Sequence, residues 1–466
     1  MAAQPTASSV AVRRVEACAR AIRQDDDRLR AFITPTIETA LDEAGAADAV
    51  AGCGDLLGLL HGTVVALKDN IEVVGVRCTA GSAFFVDHVP NRDASVAARL
   101  RRAGAILIGK TNLHEFAYGG TSQNEHYGRC RNAWDDTRLP GGSSGGSGVA
   151  VAAGMCDVAL GTDTGGSIRM PASLNGICGL RPSAGAVPNR GLIPVSPPYD
   201  TIGPMARRII DVARVYAAIA GPDGGDPTSA PDAPPDVLGR LGDGIEGVRI
   251  LMPTRFFGPE ADPDVAAAVR QAAEVLARLG ARVEEGDLPG AEAAQARLMR
   301  IIYADAAAYH RKRLEREPDR FGRDVRARLQ PGLELRAIDY AGSLRWLEGW
   351  RAQVEELFRE SWDLVLTPTM PCTAPPIEPD DDVIAVSTRL SRFTWVWPAA
   401  GVPALSVPCG FDSRGLPIGM QLAGPRWSEP LLLRLGHAYQ SATYWHRRRP
   451  PLADPDRSAY RRTRAT

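Results

Sequence analysis

The 466-residue chain carries 54 Lys and Arg against 55 Asp and Glu, a net charge of −1, and 44% of its residues are hydrophobic. Such a composition describes a globular protein with a substantial core, and the charge balance supplies no overall field to draw nucleic acid or an anionic membrane. No stretch approaches the roughly 18 apolar residues that a membrane span needs, and "MAAQPTASSVAVRRVEACAR" lacks the uninterrupted apolar run of a secretory signal, so the chain reads as soluble and cytoplasmic, with neither nucleic acid nor membrane as a partner.

Apolar residues recur at helical spacing over residues 10–22, and a β-rich run follows at 63–67. "ASVAARLRRAGAILIG" (94–109) then reads as a helix, a terminating Gly104 and a strand at 105–108. The same unit returns in "DPDVAAAVRQAAEVLARLGARVEE" (262–285), with Asp262 as N-cap, Pro263 at the first helical position, Gly280 as terminator and a strand at 281–284. Between the two units, "GPDGGDPTSAPDAPPD" (221–236) has the composition of a surface linker. Helical patterns dominate 291–358, β-type runs return at 362–366, 404–407 and 418–422, and the tail from 450 to 466 reads as flexible. Repeated helix-to-strand crossovers favour an α/β sheet covered by helices on both faces, within a single domain over 1–449. The eight cysteines are scattered without a C-x-x-C pair and read as buried thiols of a reducing compartment.

Several short motifs compete for the chemistry. "GAILIGKT" (104–111) spells a P-loop, but its four middle residues read as a strand and a helix precedes Gly104, the reverse of a phosphate cradle. "DTG" at 163–165 lacks the second such triplet that a shared-proton carboxylate pair requires. "GGSSG" and "GSSGG" place Ser143 or Ser144 at the centre of G-x-S-x-G, yet "DDTRLP" before them is a poor strand. Residues 141–148 are Gly and Ser throughout, the composition of a flexible tether. No histidine stands at metal-ligand spacing, so neither metal nor cofactor is expected.

Three separated pieces fit together better: "GTVVALKDNIEVVGVRCTAGS" (62–82), "LPGGSSGGSGVAVAAGMCDVALGTDTGGSIRMPASLNGICGLRPS" (139–183) and "AAGVPALSVPCGFDSRGLPIGMQLAG" (399–424). They resemble the amidase signature family, whose members hydrolyse or transfer amide nitrogen with a Ser, cis-Ser, Lys triad. The resemblance implies a large mixed, twisted central β-sheet with a signature core at about 62–190, a helical cover and C-terminal strands. It assigns the nucleophile to Ser167, the bridging serine to Ser143, 24 residues earlier (167 minus 143), and the lysine to Lys68. It also implies a cis peptide bond at Ser143, with Gly142 and Ser144 beside it in support.

The residues support that chemistry in their own right. A serine hydroxyl needs a positioned base at neutral pH. Lys68 follows "TVVAL", so it falls at the end of a buried strand where desolvation disfavours the ammonium; the alternative is an exposed lysine pairing with Asp69. Thr164, Gly165, Gly166 and Ser167 can present consecutive N–H groups to an oxyanion, with Asp163 and Arg169 as scaffold. "HEFAYGGTSQNEHYG" (114–128) resembles the family's pocket-edge segment, which implies Tyr118, Gly119 and Gly120 as pocket residues; Trp395 and Trp397 either line the pocket, favouring apolar or aromatic substrates, or simply pack the core. The expected function is hydrolysis of small linear amides, aryl amides or carbamates among them, through an acyl-enzyme, with the amide as the chain's partner and a homodimer compatible with it. The alternatives are the catalytic A-type subunit of a tRNA-dependent amidotransferase and, from another class, a nucleotide-binding protein using 104–111.

Overall fold

In the computed structural model, which describes residues 10–378 and 382–451, apolar runs bounded by turn residues become the strands of one large sheet. In chain order the first strands are β1 (Phe32–Pro35), β2 (Val64–Lys68), β3 (Ile106–Thr111), the hairpin β4 (Gln123–Asn124) and β5 (Gly128–Arg129), and β6 (Val158–Asp163). There follow β7 (Cys178–Arg181), β8 (Thr201–Ala206), β9 (Arg249–Pro253), β10 (Arg282–Gly286), β11 (Leu364–Pro368), β12 (Ala404–Phe411) and β13 (Pro417–Ala423). All but the hairpin join in an 11-stranded sheet, ordered β1-β3-β2-β6-β8-β7-β12-β13-β11-β9-β10. It is mixed: β3, β2 and β6 are parallel neighbours, as are β11, β9 and β10, and the pairings between these blocks are antiparallel.

Successive side chains of a strand face opposite sides, so a strand covered twice must be apolar at every position. In β2, Val65 and Leu67 enter the core on one face and Val64 and Ala66 the core on the other. The first face is covered by α3 (Ser95–Arg102), α6 (Ile209–Ile219), α7 (Pro263–Arg278) and α13 (Glu429–Ala442). The second carries α1 (Val10–Leu29), α2 (Ile37–Gly52), α4 (Gly145–Ala152) and α5 (Arg169–Leu174). A third apolar cluster joins α8 (Ala294–Arg316), α9 (Arg323–Glu334), α10 (Ala337–Glu360) and α12 (Val396–Ala400), while α11 (Val383–Leu390) closes a smaller one. Among the described residues no helix is long and apolar enough to cross a membrane.

Both helix-Gly-strand units form, with Gly104 at φ +85° and Gly280 at φ +99°. A side chain on Gly104 would put its Cβ 2.8 Å from that of Leu57, so space as well as conformation demands glycine there. The P-loop spelling therefore dissolves into a helix terminator and strand β3, and Lys110 is buried in an ion pair with Asp69 at 2.8 Å. Asp262 occupies the N-cap position but its side chain makes no capping bond; it faces Arg389 at 3.6 Å instead. The 221–236 stretch has no helix or strand, yet it is docked: Gly221 and Ala230 donate N–H groups to Ala186 and Gly185 at 2.9 Å each, and Asp226 folds its carboxylate onto Thr228. Seven cysteines are buried as expected, whereas Cys53 is exposed at the end of α2. Of the tail expected to be flexible, 452–466 lie outside the described residues.

Replacing Lys110 with Ala leaves the Asp69 carboxylate buried and unpaired, which is expected to cost about 3–5 kcal/mol in urea denaturation. Equilibrium dialysis is expected to detect no ATP binding by the parent chain; tight binding lost in the variant would overturn the assignment of 104–111 to packing.

Candidate active site

Strands β2 and β6 are parallel, with Leu67 beside Leu160, so their carboxyl ends lie side by side. Loops leaving such ends are where open α/β sheets gather ligand-binding groups. Lys68 is the last residue of β2, and its amine, wholly buried, lies 2.7 Å from both Ser143 Oγ and Thr162 Oγ1. Among the described residues no carboxylate lies within ion-pair distance of it, since Asp69 is held by Lys110 and by Thr79. Burial pulls the Lys68 pKa well below its usual 10.5, against a weaker opposing pull from the carboxylates of Asp200 and Asp163. The expectation of a desolvated lysine, not an exposed one paired with Asp69, matches this arrangement.

The Gly and Ser run is ordered and buried over its whole length from 141 to 148. The Gly142–Ser143 peptide bond is cis, as expected. Ser144 is tied to β6 twice, its hydroxyl donating to Thr162 O and accepting from Thr162 N–H, both at 3.2 Å. Its own N–H donates to Ser167 O at 3.2 Å, which brings the two serine segments together. The Ser167 hydroxyl makes no hydrogen bond to another described residue and faces a cavity of about 60 Å³. Tyr118, Gly119 and Gly120 line that cavity with Thr164, Gly165 and Trp395. Trp397 does not: it is fully buried in the helical core, where the register of α12 turns it away from its neighbour Trp395.

The loop from β6 to α5 is shaped by Asp163. Burial alone would raise its pKa, but Arg169, bidentate at 2.9 Å, and Arg181 outweigh that and hold it at about 2. The carboxylate also accepts the Gly166 N–H at 2.8 Å and the Ile168 N–H at 3.2 Å. Of the four expected oxyanion donors, Gly166 is thus committed to the scaffold, and Thr164, Gly165 and Ser167 are the ones whose N–H groups have no acceptor among the described residues. A Cβ on Gly165 would lie 2.5 Å from the Trp395 ring.

Several groups at the site stood out less in the sequence. Thr162 and Arg181 lie inside the quoted middle piece but carry no motif letter of their own. Asp200 has only "YDTIGP" around it; it accepts N–H groups of Val195 and Ser196 at 2.9 and 3.0 Å, and burial raises its pKa to about 6. Arg328 reaches the cavity from α9, far along the chain, with its buried Nε 3.7 Å from the Asp324 carboxylate and its terminal nitrogen donating to Val383 O at 3.2 Å.

The amidase family model matches residues 13–433. The chain belongs to the amidase signature family. It is 40% identical over 451 residues to the A-type subunit of the glutamyl-tRNA(Gln) amidotransferase of Moorella thermoacetica, covering 92% of each chain. A solved chain from a vestigial protein complex bearing on the origins of an s-triazine catabolic enzyme superposes with a TM-score of 0.88 at 35% identity, covering 92% of this chain and 95% of that one. The corresponding A-type amidotransferase chain of Thermotoga maritima superposes with a TM-score of 0.76 at 30% identity, covering 92% and 91%. The two amidotransferase relatives overturn the exclusion of nucleic acid as a partner. A net charge near zero is a sum over the whole chain and cannot exclude a local phosphate-binding surface or a nucleic acid brought by another protein of a complex.

Adding a methyl at Gly165 is expected to press the Trp395 ring into the cavity. Gly165→Ala should lower kcat/KM about tenfold or more, ~1.4 kcal/mol of barrier, and Trp395→Ala in the same chain should restore part of the loss. A double-mutant cycle on amide turnover measures it.

Proposed function

We infer that the chain is an acyl-transfer amidase in which Ser167 is the nucleophile, Lys68 the base and Ser143 the relay between them. The observation that carries this reading is a fully buried lysine, without a carboxylate partner among the described residues, 2.7 Å from Ser143 Oγ. Ser167 Oγ attacks the carboxamide carbon while its proton passes to Ser143 Oγ and the Ser143 proton passes to Lys68 Nζ. The N–H groups of Thr164, Gly165 and Ser167 receive the oxyanion. The Lys68 ammonium then returns its proton through Ser143 to the leaving nitrogen, the C–N bond breaks, and the acyl group remains as an ester on Ser167. Water, deprotonated by the same pair, releases the acid. Asp163 and Arg169 hold the loop and Ser144 and Gly142 the relay segment. The cytoplasm suits a chain with eight free thiols.

The amidotransferase relatives support a role in which the released nitrogen passes to a glutamyl-tRNA with other subunits present, over stand-alone hydrolysis of small amides. Arg328 on the cavity wall faces Asp324 at 3.7 Å, beyond hydrogen-bond distance, and its guanidinium suits a donor that carries a carboxylate as well as an amide, as glutamine does. A second reading, hydrolysis of apolar or aryl amides or carbamates, is favoured by Trp395, which stacks its ring against Gly165 in a cavity shared with Met170, Val195 and Ile302.

Ser167→Ala, Ser143→Ala and Lys68→Ala are each expected to lower kcat/KM by about 1000-fold or more with an unchanged circular dichroism spectrum; a covalent serine probe labelling another residue would sink the assignment. Because the base is the neutral amine, kcat/KM should rise with pH until the Lys68 ammonium is titrated and then level off, well below pH 10.5. To separate the two donors, ammonia release from glutamine and amine release from an aryl amide are measured for the chain alone and co-purified with its partner subunits. Glutamine turnover is expected to rise about tenfold or more with partners. Rapid aryl-amide turnover by the chain alone, indifferent to partners, would displace the amidotransferase reading.

A further inference from the structure

At the amino ends of β2 and β6, the opposite edge of the same strands from Lys68 and Ser167, the chain opens into a cleft of about 900 Å³. Five residues of extended strand separate Thr63 in its wall from Lys68, about 17 Å at the usual rise. The cleft has no part in the chemistry described above. Its walls come from α1, the end of α4, the start of α6 and residues 446–450, and they carry Arg14, Arg207, Arg208, Arg214, Arg447 and Arg449. Three carboxylates also line it, and each already has an arginine: Asp157 with Arg14 at 3.6 Å, Asp211 with Arg208 at 2.7 Å and Asp25 with Arg28 at 2.8 Å. Arg207, Arg214, Arg447 and Arg449 have no carboxylate within ion-pair distance among the described residues.

Arg207 is the most telling of these. It is largely buried, its guanidinium donates only to the carbonyls of Ala152 and Arg448, and burial with the nearby charge of Arg449 pulls its pKa down to about 9. A partly desolvated cation beside another is unfavourable without an anion to complete it. Past Arg449 lies an adjoining cleft in which Arg138 and Arg414 are paired with Asp135 and Asp412, at 3.3 and 2.8 Å, so that beyond Arg449 it adds only Arg448 to the unpaired arginines. A protein interface would be expected to centre on large apolar or aromatic side chains, whereas this wall offers Val151 and small residues between its arginines, the side chain whose fork matches phosphate.

We propose that this arginine-lined cleft binds the sugar-phosphate backbone of a nucleic acid, at a site separate from the amidase centre. Four unpaired arginines on phosphates predict an affinity that falls roughly 50- to 150-fold between about 50 and about 200 mM salt. The inference stands apart from the identity of the amide donor, because the cleft lies at the far strand ends and its loss would leave the amidase reading untouched.

The test is fluorescence anisotropy of the full chain with a labelled transfer RNA pool, across that salt range. Binding with the steep salt dependence is expected, weakened at least tenfold by Arg447→Glu with Arg449→Glu and likewise by Arg214→Glu alone, while turnover of a small amide stays at the parent level and reports an intact fold. No binding at the lower salt, equal binding by the variants, or equal affinity for polyglutamate, which would mark the cleft as a site for an acidic protein segment, would each overturn the proposal.

Discussion

Lys68 ends a strand whose every position is buried, and its amine rests between two hydroxyls with the water that would favour an ammonium excluded. Hydroxyls can donate to an amine or accept from it, so Ser143 and Thr162 satisfy the nitrogen without forcing its charge, as a carboxylate would. The rest of the site follows from the need to bring Ser143 that close. The chain after Pro140 threads between β2, β6 and the loop after β3, and there is room for little beyond hydrogen at its glycines: a Cβ on Gly146 would lie 2.4 Å from the carbonyl oxygen of Ala31 and 2.5 Å from that of Asn112. The Gly and Ser composition is therefore a packing requirement, and it yields order where the same letters elsewhere give a tether.

Charge is managed one layer away from the amine. Asp163 is enclosed by Arg169 and Arg181, all three fully buried, and spends its remaining lone pairs on backbone N–H groups of the loop that carries Ser167. Two guanidiniums against one carboxylate leave a positive excess, which Asp200 on the other side can balance. Burial holds Asp200 close to neutrality, at about 6, so that balance is itself sensitive to the medium. The N–H groups of Thr164, Gly165 and Ser167 stay free because the scaffold takes, of these four, only that of Gly166.

Much of this was legible in the sequence. The two helix-Gly-strand units, the β-rich runs and the family resemblance gave an α/β sheet covered on both faces, and the strand-end position of Lys68 followed from "TVVAL". What stayed hidden depends on contacts between distant segments. Arg328 arrives from α9 and Asp200 from the start of β8, and neither position is marked by local pattern or spacing. Trp395 and Trp397 were indistinguishable as letters two apart, and only the helical register of 396–400 sends one to the cavity and the other to the core. The whole-chain charge balance failed as a guide to partners for a related reason: it averages a surface on which arginines are gathered at one edge of the sheet.

Arg169 does more than hold Asp163. Its third nitrogen donates to Thr394 O at 2.9 Å and to Gln421 Oε1 at 2.7 Å, and the Thr394 hydroxyl donates to Gly165 O. The segment that carries Trp395 into the cavity wall is thus bonded at two points to the loop that carries Thr164, Gly165 and Ser167. The cavity wall at 391–395 and the 164–167 loop therefore move as one body, so a substitution that shifts either would be transmitted to the other.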